Sequence, residues 1–540
     1  MYGDDYFDVP AYRTLKEIIV DGFERGGSKR QFLFEDKEGV EREKSFAEVQ
    51  KDTYALATYL HSIGFTGKKK IAIISENSYE WNAVYYAIIV SANIAVPVDV
   101  RLTADDLAKE LADCACDAVF FSEKCRPLAD GIRSHADVPA QTYLLMDALA
   151  PYLEQGDALL AGGLRAALDD TVSPDDLASI VYTSGTTGKN KGVMLTHKNI
   201  ASNVVASCRV FSSGHGLAFL PLNHTYSWIS GLFACLVRSE WGYLCTNLMH
   251  LYKDIKTTQP YNFAAVPMAV EMIYQNIIAS AKRGGKYEAL LKGIGMSKIL
   301  MKCGIDNRRM LFKDIHDSLG GNLEFIMCGG AHLDPVIEEF MYNIGIQVVT
   351  GYGLTECSPC VTCSRKYEFK FGSVGLPLEC CEVKIHEPDE NGIGEIYVTG
   401  DNVMSGYYND PVSTAEAFDG EWLKTGDYGY LDAEGYLYFT GRKKNLIILS
   451  NGKNVSPEEI ENAMQRIEFV KEVLVYEEKD RIAAEFFLDT EKYPDAKERL
   501  KAAVDASNAT MAEFKRVQTI HIRDTEFPKT TTLKIKRQYH

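Results

Sequence analysis

At 540 residues the chain is longer than one compact core ordinarily holds, so at least two domains are expected. Hydrophobic residues make up 46% and charged residues 25%, the balance of a soluble globular protein. A net charge of −17 argues against general binding to nucleic acid or anionic membranes, so a bound anionic nucleotide would have to be met by a local basic site. The opening residues, Met1-Tyr2-Gly3-Asp4-Asp5, carry acids where a signal peptide carries a basic region and an apolar core, which predicts a cytoplasmic protein. Thirteen scattered cysteines, an odd number, suit reduced thiols better than a disulfide framework.

In chain order, the apolar spacing of Val49, Tyr54, Leu56 and Leu60 predicts a helix over 46–63, followed by a buried-type strand at Lys70–Ile74. Ser75-Glu76-Asn77 reads as a turn with helix-capping residues. The most apolar run, Ala83 to Val98, is short for a membrane span and is broken by Asn93 and Pro97, so a buried helix and a strand are expected there. Further strands are predicted at 94–98 and 118–121, and this alternation predicts a parallel sheet covered by helices.

Leu177 to Tyr182 is a short apolar, β-branched run that ends in Thr183-Ser184-Gly185-Thr186-Thr187-Gly188-Lys189-Asn190-Lys191-Gly192. Three glycines let backbone N–H groups turn toward an anion, the hydroxyls of Thr183, Ser184, Thr186 and Thr187 can donate to it, and Lys189 and Lys191 add positive charge. The natural guest is a polyphosphate, although a Ser/Thr/Gly-rich surface turn would have similar composition. The spacing is neither that of a Walker P-loop nor of a G-x-G-x-x-G opening a helix. The stretch resembles the signature of the adenylate-forming enzymes, which include acyl-CoA synthetases, firefly luciferase and nonribosomal-peptide adenylation domains. Asn190 stands where that signature has proline, a departure expected to loosen the loop slightly. The Ser75-Glu76-Asn77-x-x-Glu80-Trp81 stretch also looks like the long-chain fatty acyl-CoA synthetase branch.

Thr196 is placed to cap a helix through Ile200, Val204 and Cys208. Leu220-Pro221-Leu222-Asn223-His224-Thr225-Tyr226 resembles a family element whose aromatic position lines the acyl pocket and gates ATP access, which implies a pocket role for His224; a histidine beside proline is otherwise most often a structural hydrogen-bonding residue. Residues 281–320 are lysine-rich and helical in character, carry no usable motif, and read as a peripheral insertion or helical cover. A strand over 323–328 ends in Gly329-Gly330-Ala331, where missing side chains let a ligand approach the backbone; the resemblance puts adenine and the carboxylate substrate, Gly330 included, beside this turn. A strand over 348–352 runs into Gly353-Leu354-Thr355-Glu356. Here the resemblance implies that Tyr352 stacks on adenine with Gly353 in the same nucleotide loop, that Thr355 contacts phosphate, and that Glu356 holds Mg²⁺. The adjoining Cys357-x-x-Cys360-x-x-Cys363 has the spacing of an iron–sulfur run but lacks its Cys-Pro completion, so buried or half-buried free thiols are expected.

Alternating strands with Gly and Asp turns over 394–438 predict a β-subdomain. Trp422-Leu423-Lys424-Thr425-Gly426-Asp427 resembles the family's ribose motif, and a carboxylate such as Asp427 can accept from both ribose hydroxyls. By resemblance Arg442 lies near the ribose and α-phosphate, and Lys444 is the hinge. Ser456-Pro457-Glu458-Glu459 reads as a capping box opening a helix through Ile460 and Met464, and the strands and helix predicted after it form a small α+β domain. The tail 528–537 resembles the family's terminal element, with Lys534 on its catalytic lysine and Leu533 replacing a glycine.

The fold class implied is α/β: a large N-terminal domain of helix-covered sheets plus a β-subdomain over 1–440, a hinge at 441–444, and a small mobile α+β C-terminal domain over 445–540. The activity implied is ATP- and Mg²⁺-dependent conversion of a carboxylic acid, a fatty acid by the nearer resemblance, to acyl-AMP and then to a coenzyme A thioester. Catalysis would rest on Lys534, Glu356 and Thr355. Two alternatives stand: loading of a carrier protein, disfavoured because the chain ends at His540 without a carrier domain, and a catalytically silent nucleotide or acyl binder, suggested by Asn190 and Leu533.

Overall fold

In a computed structural model of the chain, residues 8–184, 190–210, 214–245, 250–449, 454–529 and 535–537 are described. They divide into two compact units, Met1–Glu382 with Val398–Leu423, and Val383–Tyr397 with Lys424–His540.

The first unit is built on two sheets. One has seven strands in the order Gly406–Tyr407, Asn190–Thr196, Leu177–Ser184, Ile94–Pro97, Lys70–Ile74, Ala118–Phe121, Thr142–Leu145. The five strands from Leu177–Ser184 onward run parallel, as the strand–helix alternation predicts. At the other edge Leu177–Ser184 and Asn190–Thr196 pair antiparallel, because a connection of a few residues makes a hairpin and cannot make a parallel crossover. The helix Phe46–Ser62 starts at a true capping box: Ser45 Oγ accepts from the Glu48 N–H, and the Glu48 carboxylate accepts from the Ser45 N–H. Every residue of the helix Tyr79–Val90 except Glu80 is buried, so the most apolar run of the chain is a core helix, followed by the strand Ile94–Pro97. Its cap is Ser78, which accepts from the Trp81 N–H at 3.1 Å, and not the preceding Ser75–Asn77 turn.

The second sheet of this unit has nine strands, in the order Leu376–Pro377, Cys360–Cys363, Gln347–Gly353, Phe325–Cys328, Asn262–Ala265, Gly216–Ala218, Gly242–Leu244, Arg30–Glu35, Glu41–Ser45. Gln347–Gly353 and Phe325–Cys328 are parallel neighbours with Cys328 opposite Thr350. The Gly329-Gly330-Ala331 turn and the Gly353–Glu356 loop therefore leave the carboxyl ends of adjacent strands, where open α/β sheets bind ligands. Residues 281–320 contribute the helices Tyr287–Lys302, Arg308–Leu311 and Lys313–Ser318.

In the second unit Trp422–Leu431 and Leu437–Arg442 pair antiparallel. Farther along, Val470–Glu477, Ile482–Leu488 and Thr519–Arg523 form a three-stranded sheet packed with the helices Pro457–Gln465 and Ala496–Asn508 around Ile460, Val475, Phe486 and Leu500. This is the α+β arrangement expected. The Pro457–Gln465 helix forms where predicted, but Ser456 makes no side-chain cap bond to it. Ser456 Oγ instead donates to Glu458 Oε2 at 3.0 Å, and Glu459, the glutamate a capping box would use, pairs with Lys515 Nζ at 2.6 Å. Among the described residues, no helix is long and apolar enough to cross a membrane.

Candidate active site

The predicted phosphate strand and the predicted metal-binding turn meet in the first unit. Thr183 lies opposite Lys191, and Ser184 opposite Asn190, at the end of the 177–184/190–196 hairpin where the two strands are joined. Gly406–Tyr407 pairs along the outer edge of the same hairpin, with Tyr407 opposite Val193. This brings the Tyr407 ring under the Lys191 ammonium, 4.8 Å from Nζ to the ring centroid. The Tyr407 hydroxyl donates to Glu356 Oε1 at 3.0 Å. Burial first, and the Glu356 carboxylate second, push that hydroxyl far above the usual tyrosine range, so it remains a donor at any ordinary pH. Lys191, Tyr407 and Glu356 thus form one connected series from cation to carboxylate.

Glu356 sits in a single turn, Thr355–Cys357, that packs against the 190–196 strand and is fixed by amide side chains. Asn203 Nδ2 donates to Cys360 O at 2.6 Å while Asn203 Oδ1 accepts from the Cys360 N–H. Asn402 Nδ2 donates to Cys357 O and Cys360 O, and the Met404 N–H donates to Glu356 O at 2.8 Å. Cys357, Cys360 and Cys363 are free thiols, two buried and one half-buried; among the described residues no group of three or more His, Cys, Asp or Glu side chains could hold a metal.

The acyl-pocket candidates lie in the same unit. Asn77 fastens the Leu220–Leu222 segment from both sides, donating to Leu220 O and accepting from the Leu222 N–H, each at 2.9 Å. Ser227 Oγ and Trp228 Nε1 donate to Pro221 O and Leu222 O, both at 2.6 Å, and His224 precedes the short Thr225–Ser227 turn. Tyr226 OH donates to Met327 O at 2.9 Å, placing its ring against Gly329. A Cβ on Gly329 would lie 3.4 Å from that ring and 3.5 Å from Gly351 O, so this position is tight. Gly330 has φ +83°. At Gly353 a Cβ would fall 1.8 Å from Pro359 O, which closes the position to any side chain. Tyr352 is buried, opposite Thr362, and Ala331 is exposed.

In the second unit Asp427 and Arg442 are cross-strand partners, with Arg442 Nε 3.1 Å from Asp427 Oδ1 and the carboxylate 3% exposed. Gly426, at φ +70°, donates its N–H to Glu395 Oε1, whose other oxygen holds Lys443 Nζ at 2.7 Å. Lys444 lies exposed in the Lys443–Asn445 turn. Gly185, Thr186, Thr187, Gly188, Lys189 and Lys534 lie outside the described residues, as does the side chain of Ser184.

Asn190 Nδ2 donates to Glu110 Oε1 at 2.6 Å; the loop it is expected to loosen, 185–189, lies outside the described residues. Glu110 is 4% exposed, and burial first, with Asp99, Asp106 and Asp113 adding to it against the Asn190 bond, raises its carboxyl to about 7. An acid whose folded-state pKa is raised favours folding while it is protonated, and that contribution is lost as pH climbs from the ordinary carboxyl range through about 7. Glu110→Gln keeps an acceptor for Asn190 without the buried charge. The variant is therefore expected to match the parent near pH 5 and to exceed its stability by roughly 1–3 kcal/mol at pH 8, measured by denaturant unfolding at both.

The AMP-binding enzyme family model matches residues 24–408, and the model of the AMP-binding enzyme C-terminal domain matches 444–539. The chain belongs to the AMP-binding enzyme family. Long-chain-fatty-acid–CoA ligase 1 of Cavia porcellus is 30% identical over 488 residues, covering 84% of this chain and 69% of that protein. Long-chain-fatty-acid–CoA ligase FadD15 of Mycobacterium tuberculosis is 27% identical over 553 residues, covering 93% and 91%. The anthranilate CoA ligase AuaEII, solved with anthranoyl-AMP, shares the fold with a TM-score of 0.79 at 21% identity, over 98% of this chain and 96% of that one. This AMP-binding enzyme is a ligase of the acyl-CoA synthetase type, and its substrates and cofactor are an acid, ATP, Mg²⁺ and coenzyme A.

The donor set suits that metal: Glu356 and the Thr355 hydroxyl give hard oxygens on one turn, and Mg²⁺ is typically held by one or two carboxylates together with substrate phosphates. Sequence reasoning missed Tyr407, Asn203 and Asn402; Asn77 and Tyr226 lie within stretches that the family resemblance singled out, but their hydrogen bonds to Leu220, Leu222 and Met327 were not foreseen. Isolated Tyr and Asn residues carry no spacing signal, and each becomes significant only through a partner far along the chain.

Proposed function

We propose that this enzyme activates a fatty acid. A carboxylate oxygen attacks the α-phosphorus of ATP, the bond to the bridging oxygen breaks, and pyrophosphate leaves. The coenzyme A thiol, losing its proton, then attacks the acyl carbon and expels AMP. The Lys191–Tyr407–Glu356 series carries this reading, because it sets a cation and a carboxylate against the strand that bears Thr183. Glu356 would hold Mg²⁺, which neutralises phosphate charge when bound.

In this reading Thr183, Ser184, Gly185, Thr186, Thr187, Gly188, Lys189 and Lys191 cradle the phosphates and Thr355 contacts them. Gly329, Gly330, Ala331, Tyr352 and Gly353 border adenine. Asp427, with its charge held by Arg442, takes the ribose hydroxyls, and His224 and Gly330 line the acyl pocket. Lys534 bridges carboxylate and α-phosphate. The domain division is 1–440, a hinge at 441–444 centred on Lys444, and 445–540. The location is cytoplasmic.

Pyrophosphate release measured against acids of graded chain length, with aryl acids alongside, tests the substrate. A rate that climbs with chain length supports a fatty acid, and a preference for aryl acids overturns it. AMP release that depends on coenzyme A and not on a phosphopantetheinylated carrier protein tests the acceptor. Lys444→Pro is expected to impair one half-reaction more than the other, as hinge changes do. Equal retention of both half-reactions counts against the hinge.

A further inference from the structure

The helix Tyr287–Lys302 and the segment leading to Lys313 stand apart from the rest of the first unit in charge and in exposed apolar surface. Between 281 and 313 there are nine Lys or Arg against two acids, a net of +7 in a chain that totals −17. The helix is fastened by one face: Leu290, Gly293 and Ser297 are buried, Ser297 Oγ donates to Asn343 O at 3.0 Å, and a Cβ on Gly293 would meet the Phe312 ring at 3.1 Å. On the other face Leu291 and Ile299 are spaced by eight, and Met296 and Ile299 by three, so they share one outward stripe. All three are exposed, Ile299 at 65%, and beyond the helix Ile305 and Met310 are exposed too, Met310 at 75%. Lys292 and Lys302 lie on the same stripe and Arg283 just before the helix. All three are exposed and have no ion-pair partner among the described residues, whereas Lys286, Lys298 and Arg308 are paired with Asp314, Glu339 and Asp306.

We propose that this face docks on an anionic lipid bilayer, its aliphatic side chains entering the acyl boundary and its lysines lying among the headgroups. An exposed aliphatic stripe bordered by unpaired cations is the composition of an interfacial helix. A second copy of the chain is disfavoured, since it would set the unpaired Arg283, Lys292 and Lys302 of one copy against those of the other. Nucleic acid would satisfy the cations but leave Ile299, Met296 and Met310 in water, and none of these offers a ring on which a base could stack. The acidic remainder of the chain repels the same surface, which leaves this patch as the face presented to it. Docking here does not depend on the fatty-acid reading.

The test uses the full chain in sedimentation with vesicles of phosphatidylcholine alone and of phosphatidylcholine mixed with phosphatidylglycerol, at low and high salt. Binding is expected to the mixed vesicles and to weaken with salt. Lys292→Gln and Lys302→Gln should each lower the partition about fivefold. Ile299→Asn with Met310→Asn should lower it without changing the salt dependence. Pyrophosphate release with a dispersed acid should be unchanged in all these variants, which separates loss of docking from loss of fold or activity. Equal affinity for both vesicle types, binding that survives the combined variants, or self-association or nucleic-acid binding that the same substitutions abolish, overturns the proposal.

Discussion

Lys534→Ala is expected to slow acyl-adenylate formation by about 10²-fold or more, the usual cost of removing one preorganised charge from a transition state. The reacting carboxylate and the α-phosphate are both anionic, so bringing them together is opposed by Coulomb repulsion that a single ammonium between them relieves. The effect should be confined to that half-reaction: in the thioester step the thiol attacks an uncharged acyl carbon and no carboxylate approaches a phosphorus, so conversion of supplied acyl-AMP should stay near the parent rate. Single-turnover pyrophosphate release, set against thioester formation from synthetic acyl-AMP, makes the comparison. An unchanged adenylation rate removes Lys534 from the mechanism, and an equal loss in both steps assigns it a general structural role.

Glu356→Gln should lower adenylation by a similar or larger factor, about 10²–10³-fold, and raise the Mg²⁺ concentration needed for half-maximal rate. The substitution is a clean probe because the site holds Glu356 by its backbone and its surroundings. Asn203 and Asn402 pin the turn through the carbonyls of Cys357 and Cys360, and Tyr407 OH can still donate to an amide oxygen at position 356. The charge is lost with little change of shape, so the unfolding midpoint should move little. Tyr407→Phe removes one hydrogen bond and keeps the carboxylate. Its cost should be about fivefold, the equivalent of about 1 kcal/mol. A Glu356→Gln variant with the parent's Mg²⁺ dependence would remove the metal from this residue.

Much of the architecture was legible in local pattern. The strand at Leu177–Ser184 and the helix at Phe46–Ser62 follow from apolar periodicity, and the turn after Phe325–Cys328 from its paired glycines. Where local reading failed, a side chain found a partner other than the one its position suggested. Ser456 bonds Glu458, and Glu459, the glutamate of the expected box, pairs with Lys515, so the cap is not made; Ser78 takes the capping role that its neighbours were equally equipped to fill. The partner of Asn190 was likewise out of reach of local reading, because its amide finds Glu110, eighty positions earlier.

By itself the sequence determined the family, the α/β class, and which short stretches carry hydroxyls, cations and carboxylates suited to a nucleotide. Those are properties of consecutive residues, and backbone geometry together with side-chain chemistry reads them without reference to the rest of the chain. The tertiary structure alone decided that Tyr407 links Lys191 to Glu356, that Asn77 and Asn203 fasten distant loops, and that the 287–302 helix turns Ile299 and Lys292 outward on one face. Hydrogen bonds between residues fifty to one hundred and sixty positions apart, and the choice of which helix face is covered, depend on how the sheets bring separate segments together, and no local pattern encodes that.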